Sequence, residues 1–170
     1  MEFKKLLNGL TYKFFHKTVP FESKEVCGIL VKTIKGTVRA SVDMDDAWFY
    51  SLAKNEDVIF DVGANVGYTA LLAQLQNPMR RYVLVDANPL ALADAGKNLI
   101  MNHLGANASY FTSFVSDKND KEINFYTIGS GAAGSMFKSH AKTAAFINAY
   151  SKVNTVTLDY LWRFYQVDPD

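Results

Sequence analysis

Apolar residues recur along this chain in two rhythms. Val58-Ile59-Phe60-Asp61-Val62 is an unbroken apolar run apart from one acid. That is the pattern of a strand covered on both faces in a parallel sheet. Residues 81–86 repeat it, and residues 108–115 predict a third strand. Between these runs, apolar positions fall at helical spacing over residues 66–76 and 90–104. Asn77-Pro78 ends the first helix, because the residue before a proline disfavours helical torsions. Pro89 suits the first turn of the second helix, and His103-Leu104-Gly105 closes it. Strand, helix, strand, helix, strand gives parallel βαβ units with right-handed crossovers. The expected fold class is α/β, a Rossmann-like parallel sheet with flanking helices.

The flanking segments read less regularly. Residues 26–34 and 37–42 alternate around Lys35-Gly36 and predict a small hairpin. Acids at 43, 45 and 46 mark a helix start, with the helix over 47–54. Residues 122–128 and 154–158 read as strands, residues 129–134 as a glycine- and alanine-rich loop, and residues 159–165 as a helix. At the N-terminus, Phe3, Leu6, Leu7, Leu10 and Phe14 share helical spacing beside Lys4, Lys5, Lys13 and Lys17. Such a segment either packs on the domain or rests on an anionic membrane surface through residues 1–17.

Composition narrows the class. The chain has 170 residues, 49% hydrophobic and 21% charged, with a formal net charge of +1. That size buries a real core, and that charge argues against a nucleic-acid partner. Cys27 is the one cysteine, which excludes a disulfide framework. No run approaches the ~18 apolar residues of a membrane span. Without a secretory leader pattern, the cytoplasm is the expected compartment. No His and Cys cluster has metal-ligand spacing.

The chemistry concentrates in Asp61-Val62-Gly63-Ala64-Asn65-Val66-Gly67, where a buried strand meets a helix through two glycines. The unpaired N–H groups of a helix start make a cradle for an anionic or polar cofactor. The spacing lacks the three glycines of a dinucleotide fingerprint and the Gly-Lys-Ser/Thr of a phosphate loop. Gly63 permits close approach or positive φ, and Gly67 permits close helix packing. Asp61 either holds the loop by bonding backbone N–H groups or orients a cofactor's amino group. Asp86 ends the second strand, where its two oxygens match the vicinal hydroxyls of a ribose. Ligands bind at those carboxyl ends of a parallel sheet.

These residues carry a resemblance. The Asp61–Gly67 turn, Val85-Asp86-Ala87-Asn88-Pro89, Lys97-Asn98-Leu99 through Asn102 to Asn107, Val115-Ser116-Asp117 and Thr157-Leu158-Asp159-Tyr160-Leu161 look like the FkbM family. Those are class I methyltransferases that use S-adenosylmethionine. The resemblance covers roughly residues 45–165. It implies that Asp61, Gly63, Ala64, Asn65 and Gly67 surround the cofactor's methionine part. It implies Asp86 on the ribose, Ala87 and Asn88 beside the adenine, and Ser116 or Asp117 near the adenine edge. Members usually carry Glu where Asp86 stands, so the reach is one methylene shorter. The implied reaction is methylation of a hydroxyl on a small molecule, sugar or lipid. Such a transfer is an in-line displacement governed by positioning, helped by a base that removes the hydroxyl proton. His140, beside the 129–134 loop, is the candidate base. His103 instead suits a helix C-terminus.

One departure bears on everything else. The family continues after Leu161 into a strand beside the first one, whereas this sequence closes at Val167-Asp168-Pro169-Asp170. The expected organisation is residues 1–55 as an N-terminal helix, hairpin and lead-in helix. Residues 56–170 follow as the cofactor-binding half of a methyltransferase, ending before a fourth core strand. The Val58–Val62 edge is then left for a partner chain or oligomer to cover. Two other readings compete: a methyltransferase-like binding domain without catalysis, and a nicotinamide-dependent oxidoreductase module.

Overall fold

A computed structural model describes residues 19–39, 41, 43–130 and 134–167. The amphipathic segment 1–17, with the membrane contact expected of it, lies outside the described residues. So do residues 168–170.

The chain opens with a hairpin of β1 (Phe21–Val26) and β2 (Ile29–Ile34), antiparallel from Phe21 opposite Ile34 to Val26 opposite Ile29. The reversal is Cys27-Gly28, with φ of 50° and 78°. A two-residue turn with two positive φ values matches the twist of paired strands. This corrects the turn expected at Lys35-Gly36. There Lys35 N–H bonds the Pro20 carbonyl at 2.9 Å and Gly36 N–H bonds Glu22 at 2.8 Å, which closes the open end of the hairpin instead. α1 (Met44–Ala53) starts earlier than expected because Asp43 and Asp46 form a reciprocal capping box.

The centre is a three-stranded parallel sheet in the order β3–β4–β5, from β3 (Val58–Val62), β4 (Arg81–Asp86) and β5 (Ala108–Thr112). α2 (Tyr68–Gln76) and α3 (Pro89–Ile100) make the crossovers. α2 begins two residues later than its apolar rhythm suggests, because Gly63, Asn65 and Gly67 all take positive φ. The third expected strand splits at Ser113. Its N–H bonds the Asp86 carbonyl at 3.1 Å and its hydroxyl the Asn154 carbonyl at 2.6 Å. There the chain changes neighbours. β6 (Phe114–Val115) leaves β4 to pair with β8 (Tyr150–Val156), which also pairs antiparallel with β7 (Glu122–Tyr126). α4 (Lys142–Phe146) and the first half of β8 have no counterpart in the sequence reading, since alanine-rich segments carry little periodicity. α5 (Leu158–Tyr165) closes the described chain.

Two clusters cover the faces of the parallel sheet. The hairpin, α1, α2 and α3 meet on one face of the sheet through Val26, Val31, Ala53, Leu71, Leu72, Leu84 and Leu99. On the other face, Leu161 and Tyr165 of α5 pack on Phe60, Val83, Val85 and Phe111. The strands thus have cover on both faces, as their unbroken apolar runs require. Among the described residues β3 pairs only with β4, and Val62 at its end is 51% exposed. No helix among the described residues is long and apolar enough to cross a membrane.

Candidate cofactor site

The carboxyl ends of β3, β4 and β6 border a cavity of about 320 Å³. Asp86 organises it. One carboxylate oxygen accepts the Asn65 N–H at 2.8 Å and the other accepts the Asn88 N–H at 2.8 Å. A single short side chain therefore ties the glycine turn to the turn that starts α3. Each oxygen keeps a further lone pair for a ligand hydroxyl. Asn88 extends the tie. Its side chain caps α3 by accepting from Leu90 N–H at 3.1 Å and donates to the Gly129 carbonyl at 2.8 Å.

The glycine turn differs from an open anion cradle. Gly63 and Ala64 N–H both donate to the Val85 carbonyl, at 2.8 and 3.1 Å. Gly67 N–H donates to the Ala64 carbonyl at 2.9 Å, and Asn65 N–H is taken by Asp86. The turn has consumed these donors internally. Gly67 has φ of 78°, and a Cβ there would lie 2.7 Å from the Ala95 Cβ. Glycine is thus required both by torsion and by the close approach of α3.

Of the expected site residues, Gly63, Asn65, Asp86, Ala87 and Asn88 line the cavity. Asp61, Ala64, Gly67, Ser116 and Asp117 do not line it. Ala64 is buried. Ser116 donates its hydroxyl to Asp117 at 3.0 Å and its N–H to the Val156 carbonyl at 2.8 Å. Asp61 holds the turn through hydroxyls rather than backbone N–H groups, accepting from Thr69 and, at 3.0 Å, from Tyr82. His140 is exposed beside Phe137, and His103 caps the end of α3 with φ of 59°; neither touches the cavity. No cluster of metal-ligating side chains occurs among the described residues.

The sequence reading missed the far wall: Ser113, Phe114, Val115, Phe125 and Gly134. The break at Ser113 makes a strand end, where ligands of parallel sheets bind, but the apolar pattern ran one strand through it. The meeting of Phe125 with Gly134 left no sequence signal either. A Cβ at Gly134 would lie 2.2 Å from the Phe125 ring, so this wall exists only because position 134 has no side chain.

Electrostatics follow from burial. Desolvation raises the Asp61 carboxyl above its ordinary 3.8; hydrogen bonds from Thr69 and Tyr82 oppose the rise, and the Asp86 charge adds to it. Burial and then the Asp61 charge push the Tyr82 phenol well above its usual range. Tyr68, partly buried and bonded to Asp46, is pushed up to about 12 by desolvation and then by the Asp46 charge. Asp61 thus holds its proton more tightly in the folded chain than in the unfolded one. Its contribution to stability is present below pH 3.8 and is lost as pH rises from there through the raised value. Asp61→Asn keeps an acceptor for both hydroxyls and cannot ionise. Its stability relative to wild type is expected to climb across that window, read by urea denaturation at a series of pH values. A difference independent of pH would overturn this account of Asp61.

No protein-family model matches this chain, and no curated protein matches it. Among solved structures it is similar to a SAM dependent methyltransferase from Agrobacterium tumefaciens, with 13% identity and a TM-score of 0.44 over 59% of this chain and 34% of that one. It is also similar to TYW2 of P. horikoshii in complex with MeSAdo, with 14% identity and a TM-score of 0.45 over 61% of this chain and 39% of that one. The chain spans little more than a third of the length of these two structures. Its own strand pairing makes it an α/β chain with a parallel core sheet and flanking helices.

Proposed function

We propose that the cavity holds an S-adenosyl cofactor and that the chain is the cofactor-binding portion of an S-adenosylmethionine-dependent methyltransferase of the FkbM type. The acceptor in this reading is a hydroxyl on a small molecule, sugar or lipid. The observation that carries it is the accounting of the turn's donors. A dinucleotide presents a pyrophosphate that needs free N–H groups at this turn. Here Gly63, Ala64, Asn65 and Gly67 have spent theirs, and the carboxylates of Asp61 and Asp86 lie close by. That environment favours a ligand that brings a ribose diol and a positive charge without a pyrophosphate, as a sulfonium cofactor does and a nicotinamide dinucleotide does not. Asp86 would take the diol. Phe114 and Phe125, with ring centroids 6.3 Å apart, offer apolar surface to the base. When bound, the cofactor would supply the methyl group.

The second reading, a binding domain without catalysis, has its own support. Among the described residues lining the cavity, Asp86 is the one titratable side chain. His140 lies off it. The unpaired side of β3 is, in either reading, a pairing edge for a partner chain or a second copy.

Calorimetric titration separates these readings. S-adenosylhomocysteine is expected to bind where NADH does not. Asp86→Ala is expected to weaken binding more than about tenfold, the scale of a lost hydrogen bond to a charged group. Binding of NADH instead would reverse the cofactor assignment, and unchanged affinity in Asp86→Ala would remove the ribose role. Transfer of labelled methyl to any of a panel of sugar and lipid hydroxyl acceptors would exclude the non-catalytic reading.

A further inference from the structure

The segment from β7 to β8 has an inverted surface. α4 and the residues flanking it turn their small side chains inward: Ala141 and Ala144 are buried with Tyr126, and Ala145 and Ala149 pack beside them. The large side chains of the helix and its flanks face solvent. Phe146 is 90% exposed, Ile147 56% and Phe137 55%. Phe137 is tied to the start of α4, since its carbonyl accepts the Ala141 N–H at 3.3 Å. A helix that serves only its own fold does the opposite and buries its largest apolar groups.

Charge singles out the same segment. Residues 123–158 contain no Asp or Glu but carry Lys138, Lys142 and Lys152. Lys152 is matched by Glu122 at 2.7 Å. Lys138 lies over the Tyr126 ring at 5.6 Å. Among the described residues neither Lys138 nor Lys142 has a carboxylate within ion-pair distance. Projecting aromatic and aliphatic groups beside uncompensated ammonium groups match an anionic lipid interface. The rings enter the boundary between headgroups and acyl chains, and the lysines meet the anionic headgroups. The segment also borders the cavity. Phe125 and Gly134 line it, and Ser135 pairs with Tyr126 through bonds of 2.9 and 3.1 Å.

We propose that Phe137, Phe146 and Ile147, with Lys138 and Lys142, dock this protein on an anionic membrane surface beside the mouth of the cavity. The docking does not depend on what the cavity binds, so its failure and that of the cofactor reading are separate results. The test is co-sedimentation of the full chain with phosphatidylcholine vesicles, with and without about one third phosphatidylserine. Wild type is expected to bind the phosphatidylserine vesicles, to bind phosphatidylcholine alone poorly, and to be released by salt. Phe146→Ser and the pair Lys138→Glu with Lys142→Glu change exposed positions and are expected to melt as wild type does. Each is expected to cut binding at least about tenfold. No binding to phosphatidylserine vesicles overturns the proposal. So does binding that both variants retain, which would place the lipid contact elsewhere on the chain. Concentration-dependent self-association without lipid, abolished by Phe146→Ser, would assign this face to a second copy and overturn it as well.

Discussion

Replacing Arg80 with methionine is expected to cost the fold on the order of 3–5 kcal/mol, read as a lower midpoint of chemical denaturation at unchanged slope. Arg80 is buried, yet among the described residues it meets no carboxylate. Its guanidinium serves three carbonyls instead: Glu56 at 2.6 Å, Ala73 at 2.8 Å and Lys54 at 3.2 Å. Lys54 caps the end of α1 and Ala73 lies in the last turn of α2. Helix ends leave carbonyls unpaired and carry partial negative charge, so two of them together hold a cation without an acid. Methionine fills much of the volume but strands the Glu56 and Lys54 carbonyls and leaves the Ala73 carbonyl with the Asn77 N–H alone, at 3.3 Å. Lysine keeps the charge and loses the fork, and should recover about half of the loss. A cost under about 1 kcal/mol for methionine would mean that water already serves these carbonyls. A whole domain is stable by only about 5–15 kcal/mol, so the expected loss is a large share.

The legible parts of this fold were those written in local rhythm. β3 and β4 match their apolar runs, because strands covered on both faces tolerate few polar residues. Pro78 and Pro89 bracketed the helices, since proline acts through its own ring and its immediate neighbour. The hairpin was misplaced because Cys27 adopts a positive φ that only the paired strands impose. The Asp61–Gly67 segment was legible as a turn from strand to helix, but its hydrogen bonds were not. Whether a backbone N–H is free depends on the Val85 carbonyl and the Asp86 side chain, both more than twenty positions along the chain. The far wall of the cavity needs β7 beside β8, a pairing no local pattern announces.

Asn98→Ala is expected to cost about 3 kcal/mol and to strip hydrogen-exchange protection from the Ile34 amide. The buried Asn98 amide accepts from Ile34 N–H at 2.8 Å and donates to Thr37 at 3.1 Å and to the Val66 carbonyl at 3.0 Å. One turn on, Asn102 accepts from Lys32 N–H at 2.8 Å and donates to the Lys32 carbonyl at 2.8 Å. Residues two apart on a strand present their amides to the same edge, about 6.7 Å apart. Residues four apart on a helix rise about 6 Å. The two spacings agree closely enough for Asn98 on α3 and Asn102 in the turn just past its end to replace a neighbouring strand along β2. Val66 belongs to the glycine turn, so Asn98 also fixes that turn, whereas Asn102 does not reach it. Asn102→Ala should therefore loosen Lys32 at a cost nearer 1 kcal/mol and leave S-adenosylhomocysteine binding unchanged. Asn98→Ala should loosen Ile34 and weaken that binding together. Equal effects of the two variants on binding would show that the hairpin as a whole, rather than the bond to Val66, supports the turn.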